Sequence, residues 1–221
     1  AFAEKFGPLL KLTRVVVAGD PVVTVLQGLV GGYSQFGKEV KFKLPENFDE
    51  PHKPAIYMDA VIKNYYDKRR VAVEAGALPL ERTAQNGQKK RRVYIAPLQN
   101  KLPEALSNEF SYMKEALQYE YRSAFFNRVQ GSADASDQWL EKAKATGCHW
   151  LIVPEVGAMR VRQEKSVYHI IVQQSVYDVN TGALLDMAEF STGTYNLTPL
   201  EGFIHAVKGI DANRDVWMGR P

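Results

Sequence analysis

The sequence contains a single cysteine and no long apolar run. Cys148 is the only cysteine among 221 residues, which excludes an internal disulfide and a zinc site built from several thiolates. No stretch of about 18 or more apolar residues occurs, so we expect no membrane-spanning helix. The 28 basic and 25 acidic residues leave a net charge of only +3. Because dedicated nucleic-acid-binding proteins are far more basic, we also expect no nucleic-acid partner.

Motifs that carry catalysis are equally scarce. The chain contains no Gly-x-Ser-x-Gly elbow and no His-Glu-x-x-His pair. The run Gly31–Ser34 lacks the second glycine of an elbow and the lysine of a phosphate loop. We therefore assign no catalytic, cofactor-binding or metal-ligating residue, and we expect a protein that is not an enzyme and needs no cofactor. The alternative is a hydrolase with an unrecognised site, built from scattered carboxylates and the four histidines His52, His149, His169 and His205.

Two conspicuous features have structural interpretations. Cys148 lies between a helix stop and an apolar strand, which predicts a buried thiol that packs as a small hydrophobe. His149 is adjacent, but neighbouring residues on a strand point to opposite faces, so adjacency does not make a catalytic pair. The basic cluster Lys89–Arg92 precedes an apolar run and is interpreted as a solvated loop beside a strand, with a phosphate-binding patch as the alternative.

Residues 1–88 are predicted to form a β-rich N-terminal region of unassigned fold. Arg14–Ala18 and Glu39–Leu44 have the composition of strands. From Ile56 to Lys63, apolar side chains occupy alternate positions, which favours a third strand on a half-buried sheet. A helix from Ala55 to Lys68 is the alternative for this segment.

A second domain, residues 89–221, follows the turn-rich run Gly76–Gly87. The short apolar run Val93–Leu98 predicts a buried strand that leaves its sheet at Pro97 and Asn100. A long helix comes next, because apolar side chains recur at three- and four-residue steps on one face. They are Leu106, Phe110, Met113, Leu117, Tyr121 and Phe125, and Glu109 is among the residues placed on the opposite, exposed surface. The stripe predicts core packing rather than a cofactor site.

A shorter helix, two strands and a tight turn are predicted downstream. Gly147 ends the helix, because glycine enters the left-handed conformation without steric cost. Trp150–Val153 is the next strand, and Asn180–Gly182 is the turn before the returning strand Ala183–Phe190. The residues predicted to face the core are Trp139, Leu140 and Ala143 on the helix and Tyr168, Ile170, Val172 and Val176 on the second strand. Thr198–Glu201 has the pattern of a capping box opening a last helix, which buries Phe203, Ile204 and Val207.

These elements resemble a known family between about Arg92 and Phe190. The order and motifs are similar to the α/β domain shared by the N-terminal domain of TolB, the curli export protein CsgG, LpoB and the middle domain of FlgT. Ala143–Val153 matches the family's helix, glycine stop and apolar strand, and Tyr177–Leu184 matches its last hairpin. The segment between the two helices is short for this family, so only Phe126–Val129 can supply the strand that links them.

The resemblance implies a bacterial cell-envelope protein, periplasmic or associated with the outer membrane, that assembles with other envelope proteins as a homo- or hetero-oligomer. It implies an accessory or structural part of a flagellar motor ring or an export apparatus. The expected fold is α/β, with a mixed sheet of about four strands packed by two or three helices and a β-rich N-terminal extension. Many members are lipoproteins, whereas Ala1–Ala3 fits the small-x-small pattern before signal-peptidase cleavage; an arbitrary chain start fits equally.

A peptidoglycan- or glycan-binding module is a further alternative. Its support is a supply of tyrosines whose rings can stack on sugars while the hydroxyls form hydrogen bonds. They are Tyr57, Tyr65, Tyr66 and Tyr195. Packing in a core or an interface is the simpler interpretation of these rings.

Overall fold

The computed structural model describes residues 13–17, 38–42, 54–74, 92–125, 128–131, 138–161 and 167–218. The chain divides into two compact units, Ala1–Ala77 and Leu78–Pro221. The predicted domain boundary near Gly87 lies outside the described residues.

The first unit contains both of the predicted N-terminal strands. They are β1 (Thr13–Val17) and β2 (Lys38–Phe42), which pair in parallel from Thr13 opposite Lys38 to Val17 opposite Phe42. A helix of 21 residues, α1 (Pro54–Glu74), follows them and contacts β1.

The predicted third strand at Ile56–Lys63 is wrong, and the helical alternative is correct. Ile56 and Ala60 are buried and four residues apart, a spacing that places two side chains on one face of a strand and also of a helix. Met58 distinguishes the helix from the strand. A strand would bury Met58 together with Ile56 and Ala60, whereas Met58 is 53% exposed. Lys63 forms an ion pair of 2.9 Å with the buried carboxylate of Asp59, one helical turn away.

The second unit is a mixed α/β domain, which confirms the predicted fold class. Its strands are β3 (Val93–Ile95), β4 (Gln99–Lys101), β5 (Arg128–Gln130), β6 (Trp150–Arg160), β7 (Tyr168–Asp178) and β8 (Leu184–Gly193). Its α-helices are α2 (Phe110–Ala124), α3 (Trp139–Ala145), α4 (Pro199–Val207) and α5 (Ile210–Met218), with a 3-10 helix at Glu104–Glu109. The six strands exceed the predicted four or so, because β4 and β5 have three residues each and leave little periodicity to detect.

The strand order is β5-β3-β6-β7-β8, with β4 also paired to β6. β3 is parallel to both of its neighbours, whereas β6, β7 and β8 form an antiparallel meander. The chain does not leave the sheet at Pro97 as predicted. Val93 lies opposite Trp150, and after an interruption at Pro97, which has no N–H to donate, Gln99 lies opposite Glu155 on the same strand.

Helices α2, α4 and α5 cover one face of the sheet. The predicted apolar stripe is buried, although it is divided between two helices. Leu106 lies in the 3-10 helix, Met113, Leu117 and Tyr121 lie in α2, and Phe125 follows it; all five are buried, with Phe110 half-buried. Glu109 is buried as well, contrary to prediction. It belongs to the 3-10 helix, whose three residues per turn change the direction of its side chains relative to an α-helix. Trp217 of α5 contacts Phe125 and Trp150 at ring-centroid distances of 5.7 and 5.3 Å.

The other face is covered at one end by α3. Trp139 and Ala143 of this helix are buried in a cluster with Cys148 and Leu151, against which Tyr177 also packs. The predicted inward face of α3 is therefore confirmed, and Leu140 is partly buried beside it.

Local stop and turn signals also have the predicted geometry. Gly147 and Gly182 have positive φ angles of 68° and 72°. Thr198 and Glu201 form the capping box, in which the Glu201 amide donates to the Thr198 hydroxyl over 3.2 Å and the Thr198 amide donates to the Glu201 carboxylate over 2.9 Å. Of the predicted buried residues on α4, Phe203 and Val207 are fully buried and Ile204 is half-buried.

Candidate interaction surface

Strand β8 forms one edge of the six-stranded sheet. It pairs with β7, and within the described ranges no strand pairs with its outer edge. Its ten residues extend over about 30 Å. An edge of this length presents a row of backbone N–H and C=O groups to which another strand can be added. This edge is a feature of the described part of the second unit that is suited to protein contacts.

Alternation along β8 sorts its side chains between the two sheet faces. Ala188 and Phe190 point toward the helices and are half-buried, whereas Met187, Glu189 and Ser191 are exposed on the opposite face. Met187 is 55% exposed, and its sulfur accepts a hydrogen bond of 2.9 Å from the Gln173 side chain on β7. The exposed side of β8 therefore combines a large apolar side chain with a carboxylate and a hydroxyl.

A chain of side-chain hydrogen bonds fixes β8 to the helices beneath it. The Tyr121 hydroxyl of α2 donates to the Gln174 carbonyl of β7 over 3.0 Å. The Gln174 amide donates to Asn213 of α5 over 3.1 Å, and Asn213 donates to the Asp186 carboxylate of β8 over 3.2 Å. Gln174 is completely buried, and burial also raises the pKa of the Tyr121 hydroxyl. The network therefore holds Asp186 in place at the sheet edge.

The three described histidines considered for a hydrolase do not converge. His149 precedes β6 and accepts a hydrogen bond of 3.3 Å from the Arg92 amide at its Nδ1 atom. His169 lies opposite Met159, ten residues along the meander from the end where His149 lies, a separation of about 30 Å. His205 is exposed on α4, which packs on the other face of the sheet, and His52 lies outside the described residues. Among the described residues, no group of three or more His, Cys, Asp or Glu side chains could hold a metal ion.

Cys148 is a buried thiol, as predicted. Burial raises the pKa of this thiol, and the Thr146 hydroxyl at 3.4 Å and the Arg92 charge offset that effect only in part. A raised pKa disfavours the thiolate, which is the nucleophilic form of cysteine. The Thr146 hydroxyl also donates to the backbone of the α3 helix end, so its contact with sulfur belongs to the turn around Gly147.

The tyrosines proposed for sugar stacking differ in exposure. Tyr65 and Tyr195 are 51% and 66% exposed, and Tyr57 is half-buried. Tyr66 is only 8% exposed, because it lies on the same buried side of α1 as Ile56, and its ring is therefore not available for stacking on a sugar. Its ring meets that of Tyr65 edge-on, with centroids 5.4 Å apart.

The basic cluster Lys89–Arg92 is described only at its last residue. Of the basic cluster, Arg92 is exposed and donates to the Thr146 carbonyl over 2.8 Å, and the other three residues lie outside the described residues.

In the part of the chain that the structure describes, no helix has both the length and the apolar character needed to cross a membrane.

No family model matches the sequence, and no curated protein matches it either. Solved structures do match. A PelC dodecamer from Paraburkholderia phytofirmans is 11% identical, with a TM-score of 0.42, and the match covers 59% of this chain and 93% of that one. TolB from Acinetobacter baumannii is 13% identical, with a TM-score of 0.38, and the match covers 61% of this chain but only 30% of TolB.

The C-terminal domain of LpoB from Escherichia coli is 11% identical, with a TM-score of 0.29, and the match covers 54% of this chain and 92% of that domain. TolB and LpoB, two of the proteins named in the sequence resemblance, are thus among the structures to which this chain is similar. At TM-scores below 0.5 the three structures are loose likenesses of this chain.

Proposed function

We propose that this chain is a non-enzymatic protein of the bacterial cell envelope that works by binding other proteins. The observation that carries the proposal is the edge strand β8, which has ten residues and a mixed apolar and polar exposed side. Its position is fixed by the hydrogen bonds from Tyr121 through Gln174 and Asn213 to Asp186. A rigid edge strand suits strand addition, because the strand is already ordered and loses little conformational entropy when a partner strand binds.

The envelope location rests on the sequence resemblance of Arg92–Phe190. In this proposal, residues 89–221 are a domain of the TolB N-terminal and CsgG type, and residues 1–88 are an added region that distinguishes this protein. The protein is periplasmic or associated with the outer membrane. It serves as an accessory or structural component of an envelope machine, either a flagellar motor ring or an export apparatus.

Light scattering coupled to size-exclusion chromatography, together with affinity capture from envelope extracts, tests this proposal. We expect an assembly larger than one chain, or a stoichiometric complex with an envelope protein. A monomer that captures no envelope protein would contradict the proposal.

Binding to peptidoglycan is the second candidate function, favoured by the exposure of Tyr65 and Tyr195. An exposed tyrosine ring can stack on a sugar while its hydroxyl remains solvated. Co-sedimentation with purified sacculi separates the two functions. Replacing both tyrosines with alanine abolishes sedimentation if the rings bind glycan, and it has no effect if the chain reaches the cell wall through another protein.

A further inference from the structure

The hydrogen bonds between β7 and β8 determine which backbone groups of β8 point outward. The Thr194 amide donates to the Tyr168 carbonyl over 2.9 Å, and this pair continues the β7–β8 register. In an antiparallel ladder, residues that bond to the neighbouring strand alternate with residues whose N–H and C=O groups point away from it. The outward groups of β8 therefore belong to the residues on its exposed side, which are Met187, Glu189, Ser191 and Gly193. A strand that adds to this edge must bond to these four residues.

We propose that the β8 edge binds the same edge of a second copy of this chain, in an antiparallel ladder with Phe190 on the two-fold axis. Met187 then lies opposite Gly193, Glu189 lies opposite Ser191, and the axis repeats both pairs. Each of the four residues with outward groups is paired, and each pair exchanges two main-chain hydrogen bonds. The inference rests on the proposed function and deepens it, because it names the occupant of the edge as a second copy.

The exposed Met187 side chain meets an aromatic ring in this register. Residues directly opposite in an antiparallel ladder share a face, so Met187 lies over Gly193 of the second copy. The Tyr195 ring occupies the place of the side chain that Gly193 lacks, because a Cβ there would lie 3.1 Å from the ring. Met187 and Tyr195 are 55% and 66% exposed in the single chain. The pairing therefore covers both side chains and brings a thioether against an aromatic ring, which is a favourable contact.

The polar pair on the same face is also complementary. Glu189 and Ser191 are both exposed, and the Ser191 hydroxyl of one copy can donate to the Glu189 carboxylate of the other. Opposite residues in a ladder that form such a bond stabilise it. The two-fold axis gives two of these bonds, one at each side of Phe190.

Phe190 itself lies on the helix side of the sheet and is half-buried. Its ring packs on Gly209, where an added Cβ would lie 2.7 Å from the ring. In the proposed ladder the two Phe190 residues form a pair without main-chain hydrogen bonds, the type in which side chains are closest. Aromatic pairs at such positions are favourable, and each ring covers part of the surface that the other exposes in the single chain.

Neighbouring registers of the same two strands satisfy fewer of these groups. A ladder centred on Glu189 puts the two Glu189 carboxylates directly opposite each other, which is destabilising. A ladder centred on Ser191 puts Met187 opposite Tyr195, beyond the end of β8. The register centred on Phe190 is the one that pairs all four residues with outward groups. Because the same surface is used on both copies, the contact closes at two chains.

Disulfide trapping between copies tests the register. Full-length Cys148→Ser chains on two distinguishable tags are mixed, one with Glu189→Cys and the other with Ser191→Cys. Directly opposite residues in a hydrogen-bonded pair have Cα atoms about 5.5 Å apart, which a disulfide can span, so mild oxidation should link the tags. The control pairs Glu189→Cys with Met187→Cys, which this register holds more than about 13 Å apart. Equal linking of the control, or no linking of Glu189→Cys to Ser191→Cys, would overturn the ladder.

Two opposite charges placed at Ser191 test the same contact without oxidation. Ser191→Lys puts a cation opposite Glu189 in both pairs, and we expect it to tighten dimerisation about fivefold in sedimentation velocity. Ser191→Glu should weaken it about fivefold, and adding Glu189→Lys to that variant should restore it. Both positions are exposed, so the unfolding temperature should not change. Equal weakening by the lysine and the glutamate, or no effect of either, would contradict the pairing.

The two proposals fail in different ways. A chain that stays monomeric while it captures an envelope protein overturns the β8–β8 pairing and leaves the proposed function standing. A chain that dimerises through this register but is absent from the envelope fraction supports the pairing and contradicts the proposed function.

Discussion

The Tyr121 hydroxyl donates a hydrogen bond of 3.0 Å to the side-chain carbonyl of Gln174, inside a core that otherwise consists mainly of apolar side chains. Both residues are at most 1% exposed. A buried amide costs free energy unless its donors and acceptors are paired, so the bond removes a penalty that the fold would otherwise carry. Because Gln174 also donates to Asn213, the tyrosine indirectly sets the position of α5 against β8.

Replacement of Tyr121 by phenylalanine should destabilise the protein by about 1–3 kcal/mol, because it leaves the buried carbonyl of Gln174 without its donor. Chemical denaturation measures the change. Tyr119→Phe is the matched control, since Tyr119 lies on the same helix but is exposed, and its effect should stay within about 0.5 kcal/mol. Equal stability of the two variants would show that the buried bond contributes nothing.

Gly202 allows α4 to approach the sheet closely. A Cβ atom at this position would lie 2.9 Å from the Thr194 methyl group and 3.5 Å from Ile170. Thr194 cannot rotate away without cost, because its hydroxyl accepts a hydrogen bond of 2.8 Å from the Tyr168 amide. Thr194 is therefore fixed against Gly202, and neither residue can move to make room for an added methyl group.

Gly202→Ala should lower the free energy of unfolding by about 1–2 kcal/mol, because overpacking outweighs the smaller gain in helix propensity. Gly157→Ala is the control, since the nearest atom to its added Cβ would be 3.8 Å away. That variant should be as stable as the original chain, or about 0.4–1 kcal/mol more stable. Thermal and denaturant unfolding of both variants give the comparison, and a stabilised Gly202→Ala would refute the tight packing of α4.

The hairpin turn between β7 and β8 contains a carboxylate with two hydrogen bonds from one residue. The Thr181 amide and hydroxyl donate to Asp178 over 2.7 and 2.9 Å, and these bonds, the amide first, hold the pKa of Asp178 below 3.8. A carboxyl with a lowered pKa stabilises the fold above its unfolded pKa, and that contribution is lost as the pH falls through the folded pKa.

Thr181→Val should raise the pKa of Asp178 but leave it below the ordinary value for an aspartate, because the larger contribution, from the Thr181 amide, remains. A pH titration followed by NMR of the Asp178 side chain measures the pKa in the original chain and in the variant. Thr181→Ser keeps the hydroxyl and should leave the pKa close to that of the original chain. An unchanged value in Thr181→Val would mean that the hydroxyl does not stabilise the carboxylate.

The burial of Cys148 predicts a slow reaction with thiol reagents in the folded protein. Its raised pKa reduces the thiolate fraction, and its sulfur is shielded from solvent. Denaturant should accelerate the reaction to the rate of an ordinary cysteine. A Ser191→Cys variant supplies an exposed thiol as reference. Comparable rates for both thiols in the folded state would reopen a nucleophilic role for Cys148.

Local signals in the sequence predicted local structure well. The Thr198–Glu201 capping box and the turn glycines Gly147 and Gly182 are correct because each depends on a few adjacent residues. Helix α1 shows where such signals fail. Ile56 and Ala60 satisfy the periods of both a strand and a helix, so only tertiary burial decides between them.

The candidate surface could not be predicted, because it depends on strand order. Alternation placed Tyr168–Val176 correctly, but neither period nor composition says that β8 is last in the sheet. Alternation could have predicted that Gln174 is buried, since it occupies the buried face between Val172 and Val176. It was left out of the predicted core because its side chain is polar. Its partners Tyr121 and Asn213 are far away in sequence and only the fold brings them together.

If the chain acts through its β8 edge in the envelope, a change at that edge should remove its partner. The most direct test is quantitative capture from envelope extracts by the tagged chain and by a Met187→Lys variant, whose added charge opposes strand addition at the edge. Identical unfolding temperatures would establish that the variant is folded. The original chain should retain a stoichiometric partner, either an envelope protein or a second copy, and the variant should lose it. Equal capture by both chains, or capture by neither, would contradict this role of the edge.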